Sequence, residues 1–113
     1  MKLTKSQENY VLFNTALKII RKKRKLENDW MGSIYRDRFY NRLGKSHLNV
    51  KVCRLSVDEQ QFLASFADSH TYTGRFIFHI PLGQTRVKSS NLSVEVLEKI
   101  KVMEVEAKLD GVV

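Results

Sequence analysis

Leu12, Phe13, Ala16, Leu17 and Ile20 recur at helical spacing, and the segment that carries them then runs into five consecutive cations, Arg21, Lys22, Lys23, Arg24 and Lys25. An apolar stripe of this kind must be buried against another element, so it requires a helix docked on a core. Thr4 with Gln7 forms a capping box, or Ser6 caps alone, which places the helix over roughly residues 6–25. Lys18, Arg21, Lys22 and Lys25 share the face opposite the stripe. Lys23 and Arg24 point towards the stripe, so the last turn is expected to fray or to project beyond the core, because unpaired buried cations cost several kcal/mol each.

The charge of the whole chain is equally uneven. Fourteen of the twenty Lys and Arg, but only four of the twelve Asp and Glu, fall within the first 54 residues. A field so lopsided attracts polyanions to one end of the molecule.

At 113 residues and 42% hydrophobic, the chain suits a single domain, residues 1–113, with one core. Pro81 is its only proline, and no repeat or Pro/Ser-rich linker divides it. No apolar run approaches the ~18 residues needed to span a bilayer, so membrane insertion is not expected and a soluble cytoplasmic protein is. The lone cysteine, Cys53, has no internal disulfide partner and reads as a plain sheet residue.

Further along, Ser33 is expected to cap a second helix over Ile34–Leu43, with Tyr35, Phe39 and Leu43 on its buried face and Gly44 as its stop. Residues 48–53 alternate at period two and predict a half-buried strand. Ser56 and Glu59 form a second capping box, opening a helix that carries Phe62, Leu63 and Phe66 and ends near His70. Tyr72 to Ile80 reads as a strand, and Leu82, Gly83 and Gln84 as the turn that folds residues 85–89 back as its hairpin partner. For the C-terminus, the alternation of Met103, Val105, Ala107 and Leu109 favours a short helix over about 94–99 followed by a strand, against one long helix. The expected class is α+β, with helices packed on a small, mostly antiparallel sheet, in the order α-α-β-α-β-β-α-β.

Three groups of residues suit a polyanion. The five-cation run repels itself unless a counter-charge such as a phosphate backbone is supplied. Trp30, Tyr35 and Tyr40 beside Arg36, Arg38 and Arg42 suit unpaired nucleotides, with rings for stacking and guanidiniums for phosphate. Arg75 and His79, with Arg86 and Lys88 on the next strand, are expected to form a basic patch on the hairpin. Catalysis has little support. His47, His70 and His79 lack metal-ligand spacing, the glycines form no phosphate loop, and no cofactor is implied.

The reading that follows is a non-enzymatic nucleic-acid-binding regulator, acting on DNA or RNA through Lys18, Arg21, Lys22, Lys25, Arg36, Arg38, Tyr40, Arg42, Arg75, Arg86 and Lys88. Two alternatives stand beside it. One is an interaction module that docks on an acidic protein through the same cations, with Trp30 and Tyr40 as anchors. The other is a small metal-independent ribonuclease with His70 or His79 as base and Arg75 or Arg86 on the phosphate. Oligomeric state is not readable from these patterns.

Overall fold

A computed structural model describes residues 2–112. Helix α1 (Lys5–Leu26) is followed by strands β1 (Ile34–Tyr40) and β2 (Ser46–Val52), helix α2 (Val57–Ala64), strands β3 (Ser69–His70) and β4 (Arg75–Phe78), a 3-10 turn (Ser89–Asn91) and helix α3 (Val94–Leu109). The four strands form an antiparallel sheet in the order β1-β2-β4-β3. The class is α+β, as expected from the patterning.

Both capping boxes close as expected. The Gln7 N–H donates to Thr4 Oγ1 at 3.2 Å while the Thr4 N–H donates to Gln7 Oε1 at 2.9 Å. At α2, the Glu59 N–H donates to Ser56 Oγ at 3.1 Å and the Ser56 N–H returns to Glu59 Oε1 at 2.9 Å. These reciprocal bonds satisfy donors that a helix start otherwise leaves unpaired.

The core lies between α1 and one face of the sheet. Leu48 and Val50 on β2 stand opposite Phe78 and Phe76 on β4, and all four are buried. Phe13 of α1 rests on this pair, with ring centroids 5.0 Å from Phe76 and 5.1 Å from Phe78. Helices α2 and α3 pack beside α1, adding Leu63, Val96 and Met103 to the same cluster. Among the described residues, no helix lies over the other face of the sheet, which carries Tyr35, Asp37, Phe39, Asn49, Lys51, Arg75 and Ile77.

Three segments differ from expectation. Residues 34–40 form β1 rather than a helix. Tyr35 and Phe39 are four apart, a spacing that puts them on one face of a helix and equally on one face of a strand. Ile, Tyr and Phe favour the strand, and β2 provides a full-length partner from Ile34 opposite Val52 to Tyr40 opposite Ser46. Gly44, expected as a helix stop, sits at φ 72° in the β1–β2 turn, where Asn41 Oδ1 accepts the N–H groups of Leu43 and Lys45.

Residues 85–88 form no strand, so the expected hairpin after Pro81 is absent. Both edges of β4 are already occupied, one by β2 and the other by β3, and neither has room for another partner. That second pairing also explains why α2 stops at Ala64: Ser69 and His70 are drawn into the sheet. The C-terminal segment is a single helix. Val96, Met103 and Ala107 recur on one helical face towards the core, and a run rich in Glu, Lys, Ala and Leu has high helix propensity, which outweighs the period-two pattern.

The turn between β3 and β4 depends on Gly74. It adopts φ +80°, and a Cβ there would fall 2.7 Å from the Val52 carbonyl oxygen in β2. That oxygen belongs to sheet backbone and has no freedom to retreat. Gly74→Ala is therefore expected to cost about 2 kcal/mol or more, whereas Gly44→Ala, with open space around its Cβ, should cost only about 1 kcal/mol. Urea unfolding of the two variants checks the difference; equal midpoints would count against it.

Candidate functional site

The C-terminal half of α1 and the start of β1 diverge to leave a cleft of about 850 Å³. Lys18, Arg21, Lys22 and Lys25 line its helical wall, the loop through Trp30 and Gly32 forms its floor, and Ile34 and Arg36 form the opposite wall. Five of the residues expected to grip phosphate are thus brought together. The four helix cations share one face because they are spaced three and four apart. Arg36 joins them by its place on β1, where Nε donates to Tyr10 Oη at 3.2 Å and Nη2 to Asn14 Oδ1 at 3.4 Å.

The sixth basic residue, Arg24, has a different role. It lies on the inner side of the last turn, where fraying or projection was expected, yet α1 continues through Leu26. Its Nη1 pairs with Asp29 at 2.7 Å, its Nε donates to Glu59 Oε2 at 2.9 Å, and its Nη2 bonds the Arg54 carbonyl at 2.9 Å and Glu59 Oε1. The cation is therefore compensated, and it ties α1 to α2 and to the loop after β2. Hydrogen bonds from Arg24 outweigh the desolvation of Glu59 and, with help from Ser56, hold its carboxyl down from the ordinary 4.5 to about 2. The same bonds keep the guanidinium charged throughout.

Among the described residues Asp29 is the only acid on the cleft, and Arg24 engages it. Lys18, Arg21, Lys22, Lys25 and Arg36 have no carboxylate partner among the described residues. Trp30, 66% exposed on the cleft floor, lies with its ring 5.5 Å from the Arg54 guanidinium carbon. Five cations without a carboxylate partner among the described residues, set around an open cleft, can neutralise several phosphates at once.

The remaining expected residues are distributed elsewhere. Arg38 lies on the inner side of β1 and donates to the Ile80 carbonyl at 2.6 Å and to Ser46 Oγ, fastening β1 to the chain that leaves β4. Tyr40 and Arg42 are exposed at the β1–β2 hairpin end, away from the cleft. Arg86 and Lys88 are exposed on the irregular segment after Pro81, so they form no strand face with Arg75 and His79. Arg75 stands on the uncovered sheet face beside Lys51, around a shallow depression that also includes Tyr35, Asp37, Phe39 and Asn49.

On that uncovered face Phe39 and Lys51 are residues the sequence patterns do not single out for binding, whereas Tyr35 is expected both as a stacking ring and on a buried helix face. Tyr35 and Phe39 were assigned to a buried helix face, but they are 54% and 49% exposed and present their rings to solvent beside Lys51 and Arg75. β1 reads Ile-Tyr-Arg-Asp-Arg-Phe-Tyr with no period-two alternation, so only the β-favouring Ile, Tyr and Phe hinted at a strand. At the far end of the face, His47 and His79 approach to 2.7 Å between their Nδ1 atoms, and the His79 N–H donates to Asp68 Oδ2 at 2.8 Å. Burial pushes the Asp68 carboxyl up, but hydrogen bonds from His79, Ser6 and Asn9 outweigh it and hold the group below its usual range. Among the described residues, no three His, Cys, Asp or Glu are placed to hold a metal ion. Cys53 is half-buried directly after β2. No helix is long and apolar enough to cross a membrane among the described residues.

Comparison with protein-family models, with curated proteins and with solved structures found no match.

Because the folded pKa of Glu59 lies below its ordinary value, its pairing with Arg24 contributes stability above about pH 4.5 that is lost as pH falls towards 2. Glu59→Gln should therefore be less stable than wild type at pH 7, and the gap should narrow through that window. Chemical unfolding at a series of pH values tests this, and a pH-independent gap would refute the assignment.

Proposed function

We propose that this protein binds nucleic acid without catalysing a reaction on it, holding the phosphate backbone in the cleft between α1 and β1. The observation that carries this reading is the set of five cations, Lys18, Arg21, Lys22, Lys25 and Arg36, gathered on one cleft whose single acid is already paired. Held close together with no counter-charge of their own, they repel one another, and a phosphate backbone relieves that repulsion while releasing its condensed counterions. A small regulator of transcription or replication is the role that fits a binding module of this size.

If about five phosphates are neutralised, the logarithm of the binding constant should fall against that of salt with a slope of roughly −4 to −5. The fourfold variant Lys18→Gln, Arg21→Gln, Lys22→Gln, Lys25→Gln should reduce the slope to about −1, with the fold intact because all four side chains are exposed. Fluorescence anisotropy on random-sequence DNA and RNA measures both. Weak wild-type binding that the fourfold variant does not reduce would favour an acidic protein as partner and reject this function.

Tyr35 and Phe39 add a second expectation. Rings on an open face beside Lys51 and Arg75 suit bases that are not paired, since each stacked base contributes about 1–3 kcal/mol. Tyr35→Ala with Phe39→Ala should weaken binding to single strands at least tenfold and leave duplex binding within about twofold. Competition between single-stranded and duplex oligonucleotides reads the difference, and equal losses on both would argue against stacking.

A further inference from the structure

The two histidines at the far end of the uncovered face take no part in the cleft or in stacking. Pairing of Leu48 with Phe78 sets His47 and His79 side by side on neighbouring strands, His79 exposed and His47 half-buried. The register of Phe39 against His47, and the bond from the His79 N–H to Asp68 Oδ2 at 2.8 Å, fix both backbones. Their rings stand edge to face with centroids 4.6 Å apart, and the two Nδ1 atoms converge to 2.7 Å. At that distance one Nδ1 donates its proton to the lone pair of the other. Two imidazole nitrogens thus aim at one point, with a single proton between them.

We infer that this pair is a binding site for a late first-row divalent cation, of the class of Ni²⁺, Cu²⁺ and Zn²⁺, which displaces the shared proton into solvent. Imidazole nitrogen suits these ions, whereas Mg²⁺ and Ca²⁺ select oxygen. Two metal–nitrogen bonds of about 2.0–2.1 Å, set at about 90–110°, hold their nitrogens ~2.9–3.4 Å apart. The rings need to part by only a few tenths of an ångström, and His79 is free to swing towards solvent. No third His, Cys, Asp or Glu is placed with them among the described residues, so waters complete the coordination. The local charge favours a cation. Asp68, held by the His79 N–H and by Asn9 Nδ2 at 2.9 Å, sets a carboxylate beside the pair without ligating. Lys51 and Arg75 are four residues along their strands, ~13 Å away and beyond the ~8 Å screening length at physiological salt. Lys45, two residues from His47, is exposed, and its flexible stem carries the ammonium into water. This inference is independent of the nucleic-acid reading.

Isothermal titration calorimetry of the full chain with NiCl₂, at about pH 7.5 and without nucleic acid, should show one ion per chain with a Kd of roughly 1–100 µM, and MgCl₂ should not bind. His47→Gln and His79→Gln should each weaken Ni²⁺ binding at least tenfold, while His70→Gln and Cys53→Ser leave it within about twofold. A measurement on the wild type avoids any question of folding. Paramagnetic Ni²⁺ should broaden the ring-proton NMR signals of His47 and His79 before those of His70. Absence of binding up to ~1 mM Ni²⁺ overturns the inference. So does binding that survives loss of either imidazole, or broadening centred on His70 or on the N-terminus.

Discussion

Phe13 has no accessible surface, and the rings of Phe76 and Phe78 meet it at 5.0 and 5.1 Å. Tyr10, one turn earlier, adds a second edge contact to Phe78 at 5.0 Å. This aromatic junction holds α1 against the middle strands of the sheet, and α2 and α3 then pack on a helix whose orientation is already determined. Truncating a core Phe costs about 3–5 kcal/mol, a large share of the 5–15 kcal/mol that stabilises a domain. With Phe13, Ala16 and Leu17 inward, Lys18, Arg21 and Lys22 can only project outward. The position of the cleft is therefore a consequence of core packing.

Arg24 complements that junction at the other end of the helix. Without its contacts to Glu59, Asp29 and the Arg54 carbonyl, the last turn of α1 would carry five adjacent charges and no tertiary anchor. The cation that is compensated internally keeps its neighbours in helical register, so they reach the cleft as a fixed array. Dense positive charge and local order would otherwise oppose each other, because like charges at three- and four-residue spacing destabilise a helix.

Much of this was legible in the residues. The two capping boxes, the stripe of α1, the β2 alternation and the helix face bearing Lys18, Arg21, Lys22 and Lys25 all rest on local rules, and all appear in the structure. The errors share a physical origin. Tyr35 and Phe39 have a spacing common to helix and strand, and only the availability of β2 as a partner decides between them. Residues 85–89 lost their expected strand to the two-residue β3, a long-range competition that no local window records. The partners of Arg24 are 5, 30 and 35 residues away, so its compensation was equally invisible.

The β1 strand has a further consequence for handling and evolution of the chain. It is one border of the sheet, and its seven residues leave a row of backbone donors and acceptors unpaired, a template on which another extended chain could add. Arg36, Asp37 and Arg38 lie consecutively in the middle of that border, and charged side chains there disfavour edge-to-edge pairing of one sheet with another. The guanidinium that completes the cleft wall is thus also one of the charges on this sheet edge. Substitutions that make β1 more apolar would therefore remove an edge charge and a cleft cation at once.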